Sequence, residues 1–230
     1  MILVGMSQVQ WLKNNSQASQ NNELVDYFVS FLKMLSLKLD ESTVQFFYNG
    51  KFKDFPLYSV ATWLYNHKEP MVRTAAKTIT LAVYSIATED MLETILSLPH
   101  ATYFLNLASY LRYLWMKIDV SLMKDYNFDD LRDELEDVND LLMYIQDIFN
   151  TGLPKMTRAL SNSLLYYAYL PSLLGSLSCA DKDPDINSYS ATIYFLTQTY
   201  NIIKEPMFIN ALSIALFLTH IPVSYGKHTN

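Results

Sequence analysis

The residues from Asn22 to Ile86 constrain the fold most, because helical periodicity and helix-capping residues agree there without interruption. Apolar side chains recur at spacings of three and four, which places them on one stripe of a helix with about 3.6 residues per turn. In the first segment this stripe comprises Leu24, Tyr27, Phe28, Phe31, Leu32, Leu35 and Leu39. Asn22 is the expected N-cap. The pattern predicts an amphipathic helix at the start of this stretch.

Three further helices are predicted in the same stretch from their start residues. Asp40 is expected to cap a short second helix. The third is expected at 57–66, directly after Pro56, and Pro70 is expected to open a long fourth helix. Proline is tolerated at the first position of a helix, where its missing N–H would have no intrahelical partner.

The opening of the fourth helix resembles the start of a HEAT-type repeat. Pro70 would set the turn between paired helices, Val72 and two following alanines would allow close packing, and Arg73 would project from the opposite side. Such helix pairs stack into solenoids. We therefore expect an all-α, HEAT/armadillo-like helical solenoid fragment, and an ordinary helical bundle is the alternative.

The rest of the chain is predicted to continue as helices. The low glycine content, five residues in 230, favours helices over a sandwich or barrel. The segment at 101–117 is apolar all round, so we expect it to lie centrally. A helix from Lys155 towards Ser178 contains Pro171, where a bend is expected. The remaining helices are expected at 88–98, 131–149, 188–204 and 206–218, with a polar loop at 181–185.

One helical domain is expected to span most of the chain. We predict a loosely structured N-terminal arm at 1–20, a partial helical domain at 21–220 and a C-terminal tail at 221–230. No composition shift inside 21–220 indicates a second domain.

Composition excludes several classes of function. The net charge of −6 and the lack of a basic patch argue against nucleic-acid binding. Cys179 is the single cysteine, so no disulfide framework is expected, and we interpret it as a small hydrophobic residue. The sequence contains no glycine-rich phosphate loop, no Cys-x-x-Cys and no His-Glu-x-x-His. We therefore expect no enzyme activity, no cofactor and no metal.

Two uncharged runs, 159–180 and 206–226, reach the length of about 20 residues that a membrane span needs. Both contain several polar side chains, which are costly in hydrocarbon, so buried helices are the favoured interpretation. A helical integral or peripheral membrane protein, or a helical ligand-binding domain of unrelated role, remains the alternative.

The segment from Asp125 to Asp147 is strongly acidic, with Arg132 as its single basic residue. Its nine acids are Asp125, Asp129, Asp130, Asp133, Glu134, Glu136, Asp137, Asp140 and Asp147. One interpretation is a solvated helix face, and the other is a docking ridge for a basic partner. The candidate partner-binding residues are Arg73, Lys77, Asp133, Glu136, Asp137 and Asp140.

Five segments of the chain share a pattern with one known family: Tyr27 to Lys33, Leu35 to Leu39, Val44 to Asn49, Phe55-Pro56-Leu57 and Met71-Val72-Arg73. They resemble the FPL-domain family, which is named after its Phe-Pro-Leu motif. A weaker likeness continues to about Leu218. The motif residues, expected to be structural, are Phe55, Pro56, Leu57, Pro70, Val72 and Arg73.

This resemblance implies a non-enzymatic, armadillo-like scaffold or adaptor in endosomal membrane trafficking, autophagy and mitophagy. The implied partners are subunits of the late-endosome tethering machinery, a Rab-type GTPase and a ubiquitin ligase. The implied location is cytoplasmic, peripherally on endosomal, Golgi and lysosomal membranes. Residues 1–20 resemble nothing in the family, and the chain is expected to be truncated at both ends.

The first helix is expected to be apolar on a second side as well. Val25, Val29 and Met34 lie off the main stripe, and terminal repeats of a solenoid need a polar outer face. The N-terminal arm, a second copy of the chain or a partner would cover this side. Partner binding or self-association through the N-terminal edge is therefore expected.

Overall fold

The computed structural model describes residues 22–122, 128–174 and 188–217, with side chains from residue 27 onwards. Within these ranges the chain forms nine α-helices and no β-strand, which confirms the predicted all-α class. The HEAT/armadillo-like arrangement stays a prediction. The helices are α1 Asn22–Ser36, α2 Pro56–Leu64, α3 Pro70–Ser85, α4 Glu89–Ile95, α5 Thr102–Leu122, α6 Phe128–Asn150, α7 Pro154–Leu164, α8 Tyr189–Ile202 and α9 Pro206–Phe217.

Some predictions fall on residues outside the described ranges. They concern the arm at 1–20, Asp125, Cys179, the loop at 181–185 and the tail at 221–230.

The chain divides into two compact units, residues 1–103 and residues 104–230. Compact units also occur within a single repeat domain, because each repeat contacts mainly its neighbours. The prediction of one domain over 21–220 therefore stays a prediction.

In the first unit, α1 and α2 both pack against α3. Among the side chains of α1 that the structure describes, Val29, Leu32 and Ser36 are buried, and they lie on one face of the helix. Tyr27 and Phe31 from the predicted stripe are 69% and 61% exposed, so their assignment to the core is wrong. Apolar residues cover more than one side of α1, and contact with α3 selects the side that is buried.

The predicted second helix is a single 3-10 turn, Val44–Phe46. The prediction that Asp40 caps it is wrong, because the N-cap residue is Thr43, which makes no side-chain capping bond. Asp40 instead closes the preceding turn, where its Oδ1 accepts the backbone N–H groups of Ser42 and Thr43 at 2.9 and 2.8 Å. Such local bonds compete with a longer helix. The hydroxyl of Ser42, followed by the groups of Thr43, lowers the pKa of Asp40 to about 2.

The core of the second unit is aromatic. Trp115 of α5 packs edge-on against Tyr169 at 4.9 Å between ring centroids, and stacks with Phe195 of α8 at 5.6 Å. Phe208 of α9 contacts Tyr169 from another side at 5.3 Å. The Tyr169 hydroxyl lies 2.8 Å from that of Thr199, and burial raises the pKa of Tyr169 above its usual value.

A buried carboxylate fixes the start of α8. Asp119 of α5 accepts the backbone N–H of Ser188 at 2.6 Å and its hydroxyl at 2.5 Å. Ser188 is the N-cap residue of α8, and its own Oγ accepts the N–H of Ala191. Because an N-cap orders the first turn, Asp119 stabilises the beginning of α8 through Ser188.

The helix α5 differs from its prediction in length and in burial. It continues beyond Lys117 to Leu122, and it is buried on one face only. Tyr113 lies on the other face, where its ring stacks with that of Tyr110 at 6.1 Å between centroids. The sequence predicts a central helix because the segment is apolar all round, whereas the structure exposes one of its faces.

The chain does not break at Pro171. After α7 it continues as a π-helical segment, Leu165–Leu174, in which Pro171 is an interior residue. In an α-helix, the proline ring collides with the carbonyl group four residues earlier. A π-helix bonds to the residue five positions away, and this wider winding moves that carbonyl group aside. The sequence predicts a bend at Pro171, and the structure instead changes its winding from Leu165.

Candidate interaction surfaces

The Phe-Pro-Leu motif builds the core of the first unit. Phe55 is fully buried, Leu57 is buried, and Pro56 is the first residue of α2. The Phe55 ring packs against Tyr48 at 5.4 Å and Tyr58 at 6.0 Å between centroids. Neither Phe55 nor Leu57 presents surface to a partner.

The loop before the motif is held against α4. The Tyr48 hydroxyl donates to Oδ2 of Asp90 at 2.6 Å and lies 3.1 Å from the hydroxyl of Thr94. Burial, followed by the hydrogen bond to Asp90, raises the pKa of Tyr48. A Cβ on Gly50 would come within 2.7 Å of the same carboxylate oxygen. An alanine at position 50 would therefore displace the Asp90 carboxylate.

The half-buried Arg73 binds its own chain. Its Nη1 donates to the carbonyl oxygens of His67 at 3.2 Å and Lys68 at 2.8 Å, in the connection between α2 and α3. Val72 is buried, and Pro70 is the first residue of α3. Lys77 follows Arg73 by one turn and is half-buried. The structure therefore gives Arg73 an anchoring role beside its predicted partner-binding role.

The four candidate acids on α6 share one exposed face. Asp133, Glu136, Asp137 and Asp140 are all exposed and lie at spacings of three, four and seven residues. The opposite face is buried through residues that include Val138, Leu142, Ile145 and Phe149. This geometry suits both a solvated face and a docking ridge. Arg73 and Lys77 belong to the other compact unit.

Glu134 of α6 differs from the four candidate acids because it pairs with Lys117 of α5. Nζ of Lys117 and Oε1 of Glu134 are 3.1 Å apart, and the Glu134 side chain is largely buried. The hydrogen bond to Glu134 raises the pKa of Lys117. This pair holds α5 and α6 together.

An open cleft of about 390 Å³ lies between α5 and the π-helical segment of the second unit. Its lining residues are Ser109, Arg112, Tyr113, Met116, Tyr166, Tyr167 and Pro171. We call this the tyrosine cleft, because its lining contains three exposed tyrosines. Tyr113, Tyr166 and Tyr167 are 57%, 51% and 50% exposed. The cleft is part of the surface, and none of its residues is among the predicted site residues.

Arg112 gives the tyrosine cleft its charge. Its Nε is buried and makes no hydrogen bond to any described residue. The lining contains no Asp or Glu. Two sequence signals could have pointed to the cleft: the Tyr166-Tyr167 pair shortly before a proline inside a helix, and an arginine inside an otherwise apolar helical segment.

Across the described ranges, no group of three or more His, Cys, Asp or Glu side chains could hold a metal ion. The helices found there also lack the length and apolar character that a bilayer crossing requires. The fold and its surfaces define an all-α protein whose candidate sites are surfaces for interaction.

The sequence profile of the FPL family, described as an uncharacterised conserved protein, matches residues 2–84. The chain belongs to the FPL family. It is 34% identical to Protein CLEC16A of Homo sapiens over 215 residues, 90% of this chain and 20% of that protein. Protein CLEC16A of Mus musculus matches equally, with 21% of its length covered. Protein TRANSPARENT TESTA 9 of Arabidopsis thaliana is 30% identical over 208 residues, 86% of this chain and 25% of that protein.

The chain thus spans about a fifth to a quarter of the length of these relatives. No solved structure matches the chain. The family match begins at residue 2, so the expectation that residues 1–20 resemble nothing in the family is wrong.

Proposed function

We propose that this chain is a non-enzymatic scaffold or adaptor in endosomal membrane trafficking, autophagy and mitophagy. The observation that carries the proposal is the 34% identity with Protein CLEC16A over 215 residues, together with the FPL motif. The chain acts through protein contacts and associates peripherally with the cytoplasmic face of endosomal, Golgi or lysosomal membranes. Its partners are subunits of a late-endosome tethering complex, a Rab-type GTPase and a ubiquitin ligase.

The acidic face of α6 supports a role in partner binding. Asp133, Glu136, Asp137 and Asp140 project from one side over about two helical turns. A surface of one charge sign raises the local concentration of an oppositely charged partner and speeds its association. The partner at this face carries Lys or Arg at matching spacing.

The exposed side of α1 supports the proposal of a second contact. Tyr27, Phe31 and Met34 are exposed at spacings of four and seven residues. Val29, which is expected on this second side, is buried, and the side chain of Val25 lies outside the described residues. Exposed apolar patches mark interaction sites, so self-association or partner binding at this N-terminal edge belongs to the proposal.

Proximity labelling tests the function in cells that express the chain. We expect the tagged wild type to label endosomal tethering proteins above a tag-only control. Asp133→Lys with Asp137→Lys reverses two charges one turn apart on α6 and should reduce this labelling. Glu41→Lys with Glu69→Lys makes the same charge change at exposed positions of the first unit and should preserve it. If the wild type enriches no endosomal, Golgi or lysosomal protein, the proposed function is wrong.

A further inference from the structure

We propose that the tyrosine cleft binds a short acidic segment of a partner protein. A carboxylate of that segment pairs with Arg112, and a neighbouring apolar side chain packs on Tyr113, Tyr166 and Tyr167. This inference rests on the proposed scaffold function and specifies one of its contacts. The partner segment combines Asp or Glu with a large apolar residue.

Arg112 carries the first step of the argument. Residues 109, 112, 113 and 116 lie at spacings of three, four and seven, so α5 turns one face towards the cleft. The buried Nε–H of Arg112 makes no hydrogen bond to any described residue. A buried donor without an acceptor is costly, and such groups in native proteins usually have a partner. A carboxylate fits because its two oxygens match the planar fork of donors on a guanidinium group.

The charge distribution defines the sign of the ligand. The chain carries a net charge of −6, yet the cleft lining contains one arginine and no acid. Lys117 is also close in sequence, but Glu134 neutralises it. Among the described residues Arg112 has no ion pair, so its charge is available to an anion from outside.

The aromatic lining defines the rest of the ligand. Tyr and Arg are enriched among the residues that dominate binding energy at protein interfaces. Tyrosine supplies a large rigid surface and loses little conformational entropy on binding. Met116 adds a side chain that adapts to irregular shapes. These residues therefore suit an apolar side chain placed next to the carboxylate.

The size of the cleft indicates an extended segment. A volume of about 390 Å³ lies at the lower end of the range of roughly 300–1,000 Å³ for ligand pockets. It accommodates a few side chains, and a folded domain could contact only its rim. A lipid headgroup is the less suitable anion, because peripheral membrane binding uses clusters of several basic residues and this lining has one.

The π-helical segment supplies one wall of the cleft. Tyr166, Tyr167 and Pro171 all belong to it. π-Helical turns are uncommon and occur frequently at functional sites. The unusual winding and the unsatisfied Arg112 donor thus lie at the same place, although they arise from different segments of the chain.

Selection from a random 12-residue peptide display library on the complete 230-residue chain tests the proposal. We expect the enriched peptides to carry Asp or Glu beside Leu, Phe, Tyr or Trp. Fluorescence anisotropy then gives the Kd of the most enriched peptide. Arg112→Gln should weaken binding by about tenfold or more. Arg158→Gln removes the same charge from an exposed position of α7 outside the lining, and should change Kd by less than about twofold.

A second pair of variants isolates the aromatic contribution. Tyr167→Ala should weaken binding, whereas Tyr189→Ala removes a tyrosine that is at least as exposed from the start of α8 and should not. Tyr113→Ala replaces Arg112→Gln as the decisive variant if the latter fails to fold. When Glu or Asp of the peptide is replaced by Gln or Asn, the wild type and Arg112→Gln should bind this peptide with the same Kd.

The proposal is overturned if the enriched peptides lack acidic residues, or if folded Arg112→Gln binds them like the wild type. It is also overturned if Arg158→Gln weakens binding equally. Binding to vesicles of phosphatidylserine and phosphatidylcholine that Arg112→Gln abolishes, without peptide binding, would assign the cleft to lipid. If the peptides do not bind but endosomal labelling is intact, only the proposal about the cleft is wrong. If the peptides bind but endosomal labelling is absent, only the proposed function is wrong.

Discussion

The hydroxyl pair in the core of the second unit allows a quantitative prediction. Oη of Tyr169 and Oγ1 of Thr199 are 2.8 Å apart, and both residues are fully buried. The Thr199 hydroxyl also donates to the carbonyl oxygen of Phe195 at 2.8 Å. A threonine hydroxyl has one proton, and this bond uses it. Tyr169 is therefore the donor to Thr199.

The two ends of this bond should differ in their contribution to stability. Thr199→Val removes the acceptor and leaves the Tyr169 O–H buried without a partner, which should cost about 2–3 kcal/mol. Tyr169→Phe removes the donor, and Thr199 keeps its bond to the Phe195 carbonyl. That variant should cost about 1 kcal/mol, the net value of one hydrogen bond.

The double variant provides the test of the mechanism. With both hydroxyls removed, no donor is left unsatisfied, so we expect a cost of about 1–2 kcal/mol, which is less than the sum of the single variants. Urea unfolding followed by Trp115 fluorescence reports on this core, because Trp115 contacts Tyr169 at 4.9 Å. Trp11→Phe and Trp63→Phe remove the other tryptophans. Additive costs, or a larger cost for Tyr169→Phe, would refute the reasoning.

Three further predictions concern local structure. Gly50→Ala should lower the melting temperature, because its Cβ would displace the Asp90 carboxylate 2.7 Å away; calorimetry checks this. The hydrogen bonds that lower the pKa of Asp40 from 3.8 to about 2 stabilise the turn at 40–43 above about pH 4, and this stabilisation is lost as the pH falls towards 2. Carboxyl NMR titration should give that value, and a pKa near 4 would contradict it. Asp119→Ala should cost about 2 kcal/mol or more and speed hydrogen exchange in the first turn of α8, where unchanged exchange would exclude the Ser188 contacts.

Helix starts were predictable because their signals are local. Pro70 and Pro206 each open a helix as predicted, and α2 begins at Pro56, one residue before its predicted start. The Thr88 side chain accepts the N–H of Met91 at the start of α4. A proline or threonine at such a position fixes the first turn without help from distant residues.

The buried face of α1 and the short 3-10 turn were less predictable. Apolar residues cover more than one side of α1, and only the contact with α3 assigns Val29 and Leu32 to the core. The Asp40 carboxylate can start a helix or close a turn with the same backbone bonds, so its sequence signal is ambiguous.

The candidate surfaces differ in the same way. The acidic face of α6 follows from periodicity within one helix, and Asp133, Glu136, Asp137 and Asp140 are exposed together. The tyrosine cleft combines residues 109–116 with residues 166–171, and one wall has π winding. Periodicity assumes regular α winding, so it cannot bring these residues together.

Because Leu165–Leu174 is helical, substitutions and deletions in this segment should affect the cleft differently. Each residue of a helix advances the chain by a fixed angle around the axis, which is smaller in the wide π winding than the roughly 100° of an α-helix. A one-residue deletion between Tyr167 and Pro171 therefore shifts the angular phase of everything that follows by that angle. Tyr166 and Tyr167 would then no longer face the same direction relative to Pro171. A substitution changes one contact of this wall, whereas a change in its length rotates one part of the wall away from the other.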